Sequence, residues 1–161
     1  MANVDSAHGF ICEGSFGTGG AVPTWKGRVK AGQTFVIGDP VAFSSGQLRI
    51  ATITDPIAGV AAENCASLTA ATEVKYIPAF PWIVFSGQTS GAFTNARLMS
   101  LCDIEGSTGI FEVNEDAVTY GTIRIIGKKD VGNTSLGTWC EVLFIFQRTK
   151  LAPFYYTTPT V

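Results

Sequence analysis

From residue 25 onward the chain is a succession of short runs, rich in β-branched and aromatic residues, each closed by a cluster of turn formers. Runs at 33–37, 40–43 and 47–54 are separated by Gly-Asp-Pro and Ser-Ser-Gly, and Asp55-Pro56 precedes a small apolar run at 57–62. Residues 73–77 alternate cleanly between polar and apolar. In 47–54, Leu48 and Ile50 share one face while Arg49 and Ala51 share the other. That is the period-two signature of a half-buried strand. Further strands are expected at 97–102, 110–113, 119–126 and 138–147, the last two being the strongest. Pro78 and Pro81 interrupt the apolar stretch 79–85 and cannot donate to a ladder, so an edge strand or a bent connection is expected there. Nowhere does a 3.6-residue stripe persist over three turns, and only one helical turn, around 92–99, is expected. Many short strands at this spacing predict an all-β single domain, a β-barrel or sandwich with a β-tulip-like variant among the options.

The glycine-rich stretch 1–24 and the segment 151–161 lack this periodicity. They read as an extended N-terminal arm and an extended C-terminal tail on a β-domain at 25–150. Charge is sparse: 15% of residues are charged and 46% are hydrophobic, against about 25% charged in an average protein. Depletion of charge is a property of interface centres. The net charge of −2 and the absence of any Lys/Arg-rich run argue against nucleic acid, since phosphate binding needs a concentrated positive field. The basic cluster Lys26, Arg28 and Lys30 falls on one strand face. No apolar run is long enough to span a membrane, and the start MANVDSAHGF carries an acid and a histidine where a signal peptide has basic residues followed by an apolar core. Assembly in the cytosol is therefore expected.

The motifs that could carry chemistry are weak. GSFGTGG (14–20) lacks the Lys-Ser/Thr end and following helix of a phosphate loop, and reads as a flexible arm. Acids at 103–105 and 112–116 suggest a calcium loop only loosely, and no carboxylate pair is singled out for glycoside hydrolysis. With His8 the only histidine and no CxxC pair, neither a zinc site nor a nucleophile–histidine constellation has much to build on. Cys12, Cys65, Cys102 and Cys140 read as small reduced hydrophobes, with disulfides the alternative. No enzyme activity, metal or cofactor is expected. Trp25, Trp82 and Trp139 with Phe80 and Phe85 could form a carbohydrate platform, although aromatic residues in small β-domains more often fill the core or an interface.

The ends are the informative feature. Phe154, Tyr155 and Tyr156, bracketed by Pro153 and Pro159, would be an aggregation liability left in water. Laid across another chain they become anchors; folding back over the chain's own β-domain is the alternative. The candidate interface residues are Phe10, Phe16, Trp25, Trp82, Phe154, Tyr155 and Tyr156.

The start MANVDSAHGF, the segment GDPVAF, the run DPIAGVAAEN and the late pair YGTIRIIGKKD…GTWCEVLFIF resemble the small capsid decoration (cement) proteins of tailed bacteriophages. The resemblance implies a non-enzymatic, β-rich virion protein on the outer capsid surface, assembled in the host cytoplasm. It would bind the major capsid protein at junctions between subunits and strengthen the shell. It also implies self-association, as a homotrimer or a dimer, with no direct nucleic-acid contact. A carbohydrate-binding β-module, displayed on a virion or not, is the alternative.

Overall fold

The computed structural model describes residues 3–16, 22–66, 72–130 and 135–149. The chain is all-β, with several antiparallel sheets in an arrangement consistent with a sandwich; among the described residues no closed barrel forms. Thirteen strands are present among the described residues: β1 (Ile11–Ser15), β2 (Trp25–Arg28), β3 (Pro40–Ser44), β4 (Gln47–Ile50), β5 (Gly59–Ala61), β6 (Glu73–Pro78), β7 (Ile83–Gln88), β8 (Ala92–Phe93), β9 (Leu101–Glu105), β10 (Glu112–Asn114), β11 (Ile123–Lys128), β12 (Gly137–Thr138) and β13 (Glu141–Phe146). A six-stranded sheet runs β1-β7-β13-β11-β9-β10, a five-stranded sheet runs β2-β6-β5-β3-β4, and β12 pairs with β8.

Between the two large sheets the packing is lopsided. The six-stranded sheet contributes Phe85, Phe144 and Phe146, all fully buried, while the five-stranded sheet answers with Ala42, Val60 and the adjoining Ala51 and Ala79. Large residues on one layer and small ones on the other fill the space at interior density without strained rotamers. The rings meet edge to face, with Phe144 and Phe146 centroids 5.4 Å apart at 90° and Phe85 and Phe146 5.1 Å apart at 67°. A second, smaller core lies on the other face of the five-stranded sheet, where Val41, Leu48, Val74 and Tyr76 pack with Val29 and Phe35. That sheet is therefore buried on both faces. A parallel bridge, Val29–Leu48, and the bond from the Lys30 N–H to the Leu48 carbonyl (2.8 Å) bring its two outer strands together.

Local chemistry explains the joints. Ser44 pairs with Gln47 across Ser45 and Gly46, both at positive φ (50° and 78°), the two-residue turn whose twist suits a hairpin. Asp39, fully buried, accepts the Val36 N–H at 2.9 Å and the Gly109 N–H at 2.7 Å, and so pins the turn before β3 to the β9–β10 connection. Burial pushes its pKa up against these two bonds. None of the four cysteines forms a disulfide among the described residues, and Cys65, Cys102 and Cys140 are buried.

Several expectations change. Residues 33–37 form no strand and contribute only an isolated bridge from Phe35 to Cys65. The helical turn is a short 3-10 segment, Asn95–Arg97. Of the two outcomes expected for 79–85, the bent connection is the one that forms: Pro78 ends β6, Pro81 lies in the connection before β7, and β7 itself is an inner strand between β1 and β13. The largest revision concerns the N-terminal arm. Over residues 11–15 it is an edge strand paired to β7, with a bulge between Cys12 and Gly14. Residues 3–10 are also held to the body. Asn3 Nδ2 donates to the Ser135 and Thr138 carbonyls (2.8 and 2.9 Å), the Ser6 N–H donates to Gln88 Oε1 (3.0 Å), and the Phe10 N–H donates to the Gly38 carbonyl (2.8 Å).

Phe10, expected at an interface with another chain, is 2% exposed and sits in this chain's own core, 5.0 Å from Phe144. Gly87 makes the seat: a Cβ there would lie 2.7 Å from the Phe10 ring. The Phe10→Ala variant is accordingly expected to lose about 3–5 kcal/mol of stability in urea unfolding, whereas a side chain on a free arm would be dispensable.

Candidate docking surface

Two connections cross between the sheets at one end of the sandwich. The chain leaves β1 for β2, and it leaves β6 for β7 through residues 79–82. Because Ser15 pairs with Ile83 and Trp25 pairs with Tyr76, the end of β1 and the start of β2 lie beside the two ends of the β6–β7 connection and form a corner with it. The Phe16 N–H donates to the Trp82 carbonyl at 2.8 Å and ties them together.

The corner gathers aromatic side chains. Phe80 and Trp82, separated by Pro81, stack with centroids 4.6 Å apart and rings 9° from parallel. Trp25 meets Phe80 edge to face at 5.2 Å and 85°, and meets Tyr76 at 6.4 Å and 87°. Phe80 packs against the main core, so the cluster is anchored from below. Above it, Phe16, Trp25 and Trp82 remain 56%, 42% and 46% exposed. Three of the sequence-level candidates are thus brought together. Phe10 is not among them, for the reason given above, and Phe154, Tyr155 and Tyr156 lie outside the described residues. Trp139 stands elsewhere, at the β12–β13 turn in left-handed backbone (φ 57°).

A polar cluster on the outer side of the six-stranded sheet went unnoticed in the sequence. Lys129 Nζ lies 2.8 Å from Glu13 Oε1 and 3.2 Å from Glu141 Oε2; Ser86 Oγ donates to Glu13 at 2.6 Å; His8 Nε2 lies 3.3 Å from Glu141 Oε1. His8, on the segment before β1, therefore faces its own sheet. The only available signals were an acid in β1 and a lysine after β11, remote in sequence. Burial raises the Glu13 pKa, but the bonds from Lys129 and Ser86 outweigh it and hold the carboxyl below its ordinary range. Burial likewise works against the Lys129 charge, and the bonds it donates to Glu13 and Glu141 more than restore it, so its pKa is raised. A lysine held this firmly protonated is no base for Ser86; the cluster is a clasp that fastens β1 to β7 and β13.

The acids read as a loose calcium loop make local bonds instead. Both Asp103 carboxylate oxygens accept the Tyr120 N–H (3.0 and 3.2 Å), and Asn114 Nδ2 donates to Glu105 Oε2 (2.6 Å). Glu112 and Glu115 are raised in pKa, in each case chiefly by burial and further by neighbouring carboxylates. No grouping of three or more His, Cys, Asp or Glu side chains among the described residues has the arrangement to hold a metal ion. Among the same residues, no helix is long and apolar enough to cross a membrane. Comparison with protein-family models, with curated proteins and with solved structures finds no match to this chain.

The clasp gives a pH dependence with a definite sign. The depressed pKa of Glu13 contributes stability that is complete above its ordinary value of 4.5 and is lost as pH falls through the folded value. The raised pKa of Lys129 contributes stability present below 10.5 and lost as pH rises through its folded value. Lys129→Met is expected to cost about 2 kcal/mol near neutrality, since it strands two part-buried carboxylates. Urea midpoints of parent and variant should converge once pH falls below the folded Glu13 value.

Proposed function

We propose that the chain is a structural binding protein, a decoration protein of a phage head. On this reading it sits on the outer surface of the assembled shell, at junctions between major capsid subunits, and stabilises them. The observation that carries the reading is the aromatic corner. Its two tryptophan rings are held before binding by their contacts with Phe80, so little side-chain entropy is lost on contact. Half-exposed Trp and Phe on a rigid turn are the residues that anchor protein interfaces. The sparse surface charge and the resemblance to cement proteins point the same way. Several weak contacts acting together would then give tight attachment, because the first raises the effective concentration of the rest.

A second reading, carbohydrate binding, is favoured by one detail. Phe80 backs one face of the Trp82 ring, and a flat, backed indole is a stacking surface for a sugar.

The two readings separate experimentally. For a decoration protein, Trp25→Ala with Trp82→Ala should weaken co-sedimentation with assembled shells by at least about tenfold, with the shells more sensitive to heat and the folded domain intact by circular dichroism. Unchanged co-sedimentation would remove the corner as the shell contact. For a glycan binder, an array signal should disappear in Trp82→Ala while shell resistance stays at the parent level.

A further inference from the structure

β10 is an outer strand of the six-stranded sheet, and Glu115 follows directly on its last residue. Two seams hold this part of the chain. Along the first, β10 pairs with β9, with Glu112 directly across from Glu105 and Asn114 across from Asp103. Along the second it meets the connection from β7 to β8: Val113 is bridged to Thr89, and the Ser90 N–H donates to the Val113 carbonyl at 3.0 Å. Glu115 ends that second seam. Its Oε2 accepts the Gly91 N–H at 3.3 Å, and a Cβ at Gly91 would collide with its Oε1.

The seam contains an unmet demand. Glu115 is only 1% exposed, yet its Oε1 has no hydrogen-bond partner among the described residues, and neither has the buried Oε1 of Glu112. An ionised carboxylate is an acceptor on both oxygens, and burying one of them unpaired is costly. A neutral carboxyl carries no charge and brings a donor of its own. Like charges directly across a ladder are also unfavourable. Asn114 Nδ2 donates to Glu105 Oε2 at 2.6 Å, which relieves Glu105 and leaves Glu112 as it was.

The charged neighbours on the surrounding elements do not supply what is missing. Asp116 follows on the same segment, Glu105 faces the pair from β9, and Asp5 approaches Glu112 from the N-terminal segment. Asp103, also on β9, spends both oxygens on the Tyr120 N–H. The nearby cation, Arg97 of the 3-10 segment, bonds Asp116 Oδ1 at 2.7 Å. Two thiols complete the surroundings: Cys102 Sγ faces the Glu115 carbonyl at 3.8 Å, and Cys140 feels the Glu115 charge. Burial pushes both thiols up, Cys102 to about 11, so they stay neutral. At Glu115 burial outweighs the backbone bonds it accepts, and Asp116 and Glu105 act in the same direction as burial.

We propose that Glu112 and Glu115 are a proton-operated latch on the seam between β10 and the β7–β8 connection: uptake of a proton by the pair closes the seam, and its release loosens β10 from Gly91. The proton joins or leaves a carboxyl oxygen and exchanges with solvent, so no other reactant is needed. Because both carboxyls hold protons more tightly in the folded chain, the stability that the latch supplies is complete below the ordinary value of 4.5 and is lost as pH rises through the folded values. The clasp at Glu13 has the opposite sign, and its contribution is complete above 4.5. The two devices therefore act in separate pH ranges. The latch is a property of the chain's own packing and does not depend on attachment to a shell.

The test compares urea unfolding of the full chain at about pH 7.5 and about pH 5 for the parent, for Glu115→Gln and for Glu112→Gln combined with Glu115→Gln. Glutamine keeps the shape of the side chain and removes the charge. The expected result is a higher urea midpoint for the variants than for the parent at the upper pH, with the gap narrowing at the lower. A gap that does not change with pH overturns the proposal. A glutamine amide can also disturb the seam by its own geometry, so a second measurement uses the unaltered chain. Carbon-13 NMR follows the Glu115 carboxyl through its titration, while hydrogen exchange, corrected for the intrinsic rate, follows the Ser90 and Gly91 amides. The carboxyl is expected to titrate above 4.5, with protection of both amides rising as it takes up its proton. A carboxyl that titrates at or below 4.5, or amide protection that does not track it, sinks the latch.

Discussion

The ring of Phe10 over Gly87 is the contact on which the layout of the molecule turns. Phe10 enters the core from the N-terminal segment and meets Phe144 in the central strand of the aromatic layer. Gly87 leaves room that any side chain would fill. With the ring seated there, the following residues have to run along β7, and they become the outer strand of the six-stranded sheet. The course of β1 and the corner at Phe16 both descend from that one burial.

Electrostatics reinforces what packing starts. Glu13 and Glu141 flank Lys129, and Ser86 and His8 complete their hydrogen bonding, so three neighbouring strands and the N-terminal segment share one polar cluster. Such a cluster adds little if its members are all solvated, but it becomes costly to break when part-buried partners would be left unpaired. Opposing it, Glu112 stands directly across from Glu105 on the β9–β10 pair, and its Oε1 and that of Glu115 have no hydrogen-bond partner. The fold thus carries one favourable and one unfavourable charge cluster at opposite sides of the same sheet.

Much of the strand content could be read from local pattern. The alternation in 73–77 and the apolar run in 138–147 became β6 and β13 with small shifts of boundary, because a period of two reports which face of a sheet is buried. The Ser-Ser-Gly signal became a two-residue hairpin turn because Ser45 and Gly46 accept positive φ. Where reading failed, the deciding contact was distant. Residues 33–37 look like a strand, yet Phe35 is consumed by the small core beside Cys65 and no ladder forms. Residues 11–15, with glycine and a charge, look like loop, yet β7 supplies a template that overrides weak propensity. Trp25 and Trp82 were legible as candidate interface residues. Their convergence on Phe80 was not, since it depends on two connections crossing the sandwich at the same end.

The amino-acid sequence alone therefore settled the class of secondary structure, the positions of most turns and the poverty of surface charge, all of which depend on neighbours a few residues apart. Tertiary structure decided that the N-terminal segment belongs to the body and that three aromatic residues share a corner. Those outcomes depend on which distant side chains compete for the same buried volume. A period-two pattern says that a strand has an inner face but cannot say which strand will lie beside it.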